Sequence, residues 1–132
     1  MKRQLNVLDF AAIKDGDRRI SMVTCYDYWS AQVLGRTDID CLLVGDSLAM
    51  VMHGYDSTVY ADVHLMALHT RAVALGAPEK FIIADMPFLS VRKGVGPAMD
   101  AVQALMQSGA SAVKIEGEAG HLDIIGHIVE SG

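Results

Sequence analysis

The chain has 132 residues, 52% of them apolar and 20% charged, with only three prolines. That is one domain's worth of sequence with room for a hydrophobic core, and it excludes a disordered or low-complexity scaffold. Eleven Lys and Arg against sixteen Asp and Glu leave a net charge of −5, and the basic residues are scattered, so nucleic acid is excluded as a partner.

Taken in chain order, short apolar runs alternate with longer amphipathic ones. Residues 20–25 (ISMVTC) predict a strand, 28–34 a short helix, and 41–44 (CLLV) a second strand that stops at Gly45. A helix is predicted over 62–75, with Asp62 as N-cap and Leu65, Leu68, Ala72 and Leu75 on the buried face. Gly76 ends it and Pro78 forbids its resumption. Residues 81–84 (FIIA) predict a third strand, continuously apolar as in a parallel sheet covered on both faces. A third amphipathic helix follows over 97–107, with Pro97 in its first turn, Ala101 and Leu105 facing inward and Gly109 at its end. Residues 112–115 (AVKI) and 122–129 predict the fourth strand and fourth helix. Four βα units in series, with no Asn-Gly hairpin signal, predict a parallel sheet with right-handed crossovers in a single α/β domain over 1–132. No apolar run approaches the ~20 residues that cross a bilayer. The charged start does not continue into a signal core, so a cytoplasmic protein without a membrane partner is expected. Cys25 and Cys41 both fall in apolar strands and are expected to be reduced core residues.

Ligands of parallel α/β folds bind outside the carboxyl ends of the strands. There the chain turns polar: Tyr26 and Asp27 after the first strand, Asp46 and Ser47 after the second, Asp85 after the third, and Lys114 and Glu116 at the fourth. Three carboxylates converging from three strands, Asp46, Asp85 and Glu116, resist ionising together unless a cation neutralises them. Mg²⁺ suits that set, being a hard ion that takes a few carboxylates, keeps waters and leaves room for substrate oxygens. Lys114, two residues before Glu116 and on the same face of its strand, is suited to holding a carboxylate or a developing enolate oxygen. Taken singly, Asp46 and Asp85 also fit the N-cap of a following helix. His64 and His69, five apart, diverge around a helix, as do His121 and His127, six apart. These four read as packing or solvated residues, and His53 as a loop residue with no local partner. Met50 and Met52 read as core or pocket-wall filler.

Four separated strings carry a resemblance: TCYD at Thr24 to Asp27; LLVGDSLAMVMHGYDST at Leu42 to Thr58, followed by His69 and Thr70; IADMPF at Ile83 to Phe88; and GASAVKIEG at Gly109 to Gly117. In this order, each at a strand's carboxyl end, they resemble the ketopantoate hydroxymethyltransferases, a family with a (β/α)₈ TIM barrel of the phosphoenolpyruvate mutase/isocitrate lyase type. A (β/α)₈ barrel takes ~250 residues. The resemblance therefore implies the first four βα units, the N-terminal half of the barrel, with the C-terminal half absent.

What the resemblance implies for function is transfer of a hydroxymethyl group from 5,10-methylenetetrahydrofolate to 3-methyl-2-oxobutanoate, giving 2-dehydropantoate in pantothenate and coenzyme A biosynthesis. It assigns the Mg²⁺ ligands to Asp46, Asp85 and Glu116, and the keto-acid contacts to Asp46, Ser47, Asp85 and Lys114, with Tyr26 in the pocket wall. Mg²⁺ chelation of the keto acid acidifies the adjacent C–H, Lys114 steadies the negative charge, and the enolate attacks the folate-derived carbon. Ala49 stands where the family commonly has glycine. The family's general base, a glutamate of the barrel's second half, has no counterpart up to Gly132, so no catalytic base is assigned within this chain; Glu118 and Glu130 stand in the wrong context. A four-strand unit also leaves strands one and four as open edges, which predicts a homo-oligomer or a complementing C-terminal half as partner. Two alternatives remain: a non-catalytic fragment that binds Mg²⁺ and keto acid, and a receiver-like phosphoacceptor domain. The second would want an acidic pair after strand one, where Asp27 stands alone.

Overall fold

The computed structural model describes residues 3–132. Its frame is a four-stranded parallel sheet in sequence order: β1 (Met22–Thr24), β2 (Cys41–Val44), β3 (Phe81–Asp85) and β4 (Ala112–Lys114). Parallel neighbours need a crossover, and the helices supply it. These are α1 (Val7–Lys14), α2 (Tyr28–Gly35), α3 (Leu48–Val51), α4 (Val63–Gly76), α5 (Val95–Gln107) and α6 (Leu122–Glu130), with a 3₁₀ turn at Thr58–Tyr60. The four predicted βα units are all present. Asp62 caps α4 through a 2.7 Å bond from the Leu65 amide, and Pro97 lies in the first turn of α5.

Along β2 and β3 the pleat sends alternate residues to opposite faces. Leu42, Val44, Ile82 and Ala84 are buried in one cluster with Met66 and Val73 of α4 and Ala98, Ala101 and Leu105 of α5. Cys25 and Cys41 are buried free thiols, as expected. The outer strands are less covered: the chain leaves Met22 of β1 51% exposed, and the residues of β4 are only half-buried.

Three features differ from the sequence-based expectation. The buried stripe of α4 is Met66, Thr70 and Val73, while Leu68 and Leu75 are 57% and 61% exposed. This helix is apolar on more than one side, so spacing offers two stripes and only packing selects between them. Met50 and Met52 are exposed rather than core. The helix α1 was not foreseen. It buries no residue, and its signal is a reciprocal cap: the Asn6 side chain accepts from the Leu8 and Asp9 amides at 2.9 and 3.1 Å, and Asp9 accepts from the Asn6 amide at 2.7 Å. Phe10 packs edge-on against Phe81 at the start of β3, 4.6 Å between centroids, so α1 sits at the end of the sheet opposite the strand carboxyl ends.

At that same end Arg18 grips Asp40 with two bonds of 2.8 and 2.9 Å, and Ser21 donates to Asp40 through its amide and hydroxyl. Arg18, working against burial and helped by Ser21, holds the Asp40 carboxyl down at about 2. Its folded value is depressed, so its stabilisation is present above the ordinary 3.8 and is lost as pH falls toward about 2. Asp40→Asn is therefore expected to lower the urea midpoint at pH 7, with the gap to wild type closing at pH 2–3. A persistent gap there contradicts the ion-pair account. At Gly76 a methyl group would lie 2.4 Å from the Tyr28 carbonyl and 2.7 Å from Ala31 Cβ, because α4 ends directly against α2. Gly76→Ala should destabilise by about 1–3 kcal/mol, read from the same urea transitions.

Candidate active site at the strand carboxyl ends

The register of the sheet assembles this site. Asp85, the last residue of β3, pairs across the ladder with Lys114, the last residue of β4. Parallel partners in register project to the same face, which brings a carboxylate and an ammonium together. Lys114 Nζ lies 2.8 Å from Asp85 Oδ1. That contact is an ion pair, and buried Oδ1 has no other hydrogen-bond partner. The other oxygen, Oδ2, accepts the backbone N–H of Asp46 at 3.0 Å. A methyl group at Gly45 would stand a tight 3.0 Å from Ser47 Oγ but in ordinary contact, 3.6 Å, with Asp85 Oδ2.

Asp46 and Asp85 are not side-chain helix caps. The short α3 begins after Ser47, which makes no side-chain cap bond; its hydroxyl instead pairs with the Tyr26 hydroxyl at 2.8 Å. Asp27 takes the bland role, accepting from the Ser30 amide and hydroxyl to cap α2, which removes it from any acidic pair. Burial raises the Asp46 carboxyl above its ordinary range, the charges of Asp85 and Glu116 raise it further, and Lys114 opposes them. Burial alone would lower the Lys114 ammonium, but its contact with Asp85 and the charges of Glu116 and Asp46 raise it overall. Lys114 therefore stays protonated at neutral pH.

Glu116 lies past the end of β4, which stops one residue earlier than predicted, and is exposed. With Asp46 it lines a cavity of about 270 Å³ walled by Met86 to Arg92 and His121. Among the described residues no group of three or more His, Cys, Asp and Glu side chains is placed to hold a metal ion. The all-oxygen donor set nevertheless fits Mg²⁺, which is held through one or two carboxylates and keeps its remaining waters. The sequence-predicted residues Asp46, Ser47, Asp85 and Lys114 are thus brought together, with Glu116 within electrostatic reach.

Two histidine features escaped the sequence-based account. His53 is not without a partner: its Nε2 lies 2.8 Å from Nε2 of His69, across sixteen residues of chain. His121 is buried beside the cavity, its Nε2 against the Gly117 carbonyl and its Nδ1 without a hydrogen-bond partner. Neither contact leaves a spacing signal, because each depends on where a loop returns.

A carboxyl raised in the folded state favours the fold below its unfolded value, and that advantage disappears as pH rises through the folded value. In metal-free buffer Asp46→Asn should therefore melt above wild type at pH 7, with the gain vanishing below about pH 4. Lys114→Met should cost about 1–3 kcal/mol at pH 7 by leaving Asp85 without its counter-charge. Calorimetry on the two variants reads both signs, and a destabilised Asp46→Asn at pH 7 would refute this electrostatic picture.

Against known proteins, the sequence profile described as ketopantoate hydroxymethyltransferase matches residues 4–132. Relatives named 3-methyl-2-oxobutanoate hydroxymethyltransferase include that of Coxiella burnetii (strain Dugway 5J108-111), 54% identical over 129 residues, covering 97% of this chain and 48% of the relative. That of Bdellovibrio bacteriovorus is 52% identical over 126 residues, 96% of this chain and 48% of the relative. The chain thus spans about half the length of the curated relatives it matches. Among solved structures, phosphoenolpyruvate phosphomutase from Streptomyces platensis subsp. rosaceus superposes with a TM-score of 0.67 at 13% identity, over 84% of this chain and 38% of that one. The 2,3-dimethylmalate lyase of the PEP mutase/isocitrate lyase superfamily superposes with a TM-score of 0.65 at 22% identity, over 83% and 38%. These likenesses show the fold alone, a parallel α/β arrangement of four βα units. By sequence, the chain belongs to the ketopantoate hydroxymethyltransferase family.

Proposed function

We propose that this chain carries the metal and keto-acid site of a 3-methyl-2-oxobutanoate hydroxymethyltransferase, using 5,10-methylenetetrahydrofolate as one-carbon donor and yielding 2-dehydropantoate. The observation that supports it most is the Asp85 carboxylate, buried at the strand ends between the Lys114 ammonium and the Asp46 amide in a chain of this family. The chain corresponds, in this reading, to the first four βα units of the barrel.

Asp46, Asp85 and Glu116 would hold Mg²⁺. When bound, Mg²⁺ supplies positive charge that makes the C–H beside a keto group more acidic. Lys114 binds the substrate's negatively charged end and remains protonated as charge develops, because the surrounding carboxylates keep its proton in place. Ser47, oriented by Tyr26, offers a hydroxyl to a substrate oxygen. The Met86 to Arg92 segment forms one wall of the cavity that Asp46 and Glu116 also line. The general base that takes the C–H proton is assigned outside these 132 residues, to a glutamate of the second half of the barrel. A homo-oligomer or a complementing C-terminal half completes the site, and the location is cytoplasmic. Among the described residues no helix is long and apolar enough to cross a membrane.

Deuterium exchange at C3 of 3-methyl-2-oxobutanoate, followed by proton NMR with Mg²⁺, tests this reading. The chain alone is expected to give no exchange above buffer, and the chain with a supplied C-terminal half to give Mg²⁺-dependent exchange. Lys114→Met and Asp85→Asn should each lower that rate by about 100-fold or more. Exchange by the chain alone would overturn the assignment of the base, and failure with the second half supplied would overturn the assignment of the site.

A further inference from the structure

The histidine in the cavity wall carries an unanswered acceptor. His121 is 5% exposed, and its Nε2 lies 2.8 Å from the Gly117 carbonyl. A carbonyl only accepts, so in the neutral ring Nε2 carries the hydrogen and Nδ1 keeps a bare lone pair. That Nδ1 is buried, and among the described residues no donor reaches it. Burying an acceptor without a partner is costly, so the atom marks the place of a missing donor. His121 lines the same cavity of about 270 Å³ as Asp46 and Glu116, and Met86, Pro87 and Phe88 give that cavity an apolar wall. Arg92 donates to the Ala119 carbonyl at 2.7 Å, which ties the loop carrying His121 to the wall segment. Within that segment Leu89 holds a left-handed φ of 62°, a strain that clusters where ligands are clamped.

The chemistry of the two substrates decides which of them supplies the donor. The keto acid has none: its carboxylate and ketone oxygens only accept. The folate co-substrate has several, since its reduced pterin ring carries an amino group and ring N–H groups on a compact bicycle that suits an apolar wall. Resting on the function proposed above, we propose that this cavity is the pterin subsite and that His121 Nδ1 accepts one N–H of the ring. The small volume selects the bicyclic head over the rest of the folate, whose tail lies toward solvent. Asp46 and Glu116 border this cavity and belong to the proposed metal site, so a pterin seated here holds its one-carbon unit beside the keto acid. The two substrates are then read by opposite chemistry: the Lys114 ammonium takes an acceptor, and His121 takes a donor.

Saturation-transfer NMR of the full chain with 5-formyltetrahydrofolate, a stable reduced folate, in Mg²⁺ at pH 8 reads the subsite. Wild type is expected to bind it saturably, with the strongest transfer to the pterin protons. His121→Gln keeps an amide that can meet Gly117 and loses the acceptor at Nδ1, so its affinity should fall about tenfold. His121→Asn places its Oδ1 where Nδ1 stood and should stay within about threefold of wild type, a rescue that a packing role would not give. N-(4-aminobenzoyl)glutamate, which lacks the pterin, should bind wild type and His121→Gln alike. The keto acid with Mg²⁺, followed by the same method, should bind all three proteins equally. Keto-acid binding without saturable folate binding up to millimolar, or equal folate affinity in His121→Gln, would overturn the subsite alone and leave Nδ1 to an ordered water. Absence of keto-acid binding in wild type would instead overturn the function on which the subsite rests.

Discussion

One buried carboxylate organises the strand carboxyl ends of this molecule. Asp85 ends the third strand with 6% of its surface exposed, and its two oxygens face the neighbouring strands on either side. One meets the Lys114 ammonium at the end of the fourth strand; the other receives the Asp46 amide just past the second. A carboxylate buried without such partners would cost several kcal/mol. The contacts therefore act as a constraint on register as well as an attraction. A slip of one residue between the third and fourth strands would turn Lys114 to the opposite face and leave Asp85 alone.

The same geometry accounts for the unequal roles of the aspartates. Asp27, Asp62 and Asp40 do structural work, as two helix caps and a bidentate ion pair. Asp46 is held in an unfavourable place, its carboxyl raised by burial and by its acidic neighbours. A structure that keeps like charges together at a strand mouth stores electrostatic strain that a cation or a charged substrate relieves. Stability and site are therefore divided between the two ends of the sheet. Arg18–Asp40 and the α1 cap lie at one end, and Asp46, Asp85 and Lys114 lie at the other.

Much of the fold was legible in the sequence because parallel βα units leave strong local signals. CLLV and FIIA are short buried runs, Gly45 and Gly76 are stops, and Asp62 precedes an amphipathic stretch at cap spacing. Misreadings occurred where the local signal was degenerate. In α4 two apolar stripes compete, and the buried one, Met66, Thr70 and Val73, is chosen by what lies beneath the helix. In α1 a cap without an apolar face carried too little periodicity to register.

The sequence by itself determined which residue types stand at the strand ends, and the family. Asp46, Ser47, Asp85 and Lys114 follow their strands in motifs that need no coordinates, since a strand's end and its side-chain alternation are short-range properties of the chain. Which oxygen of Asp85 meets which partner, that Ser47 answers to Tyr26, and that Glu116 stands apart in the cavity wall were decided only by the tertiary structure. So was the meeting of His53 with His69. The physical reason is the same in each case. These contacts join residues from different βα units, and their distances are set by sheet register and loop return, which leave no mark in local spacing.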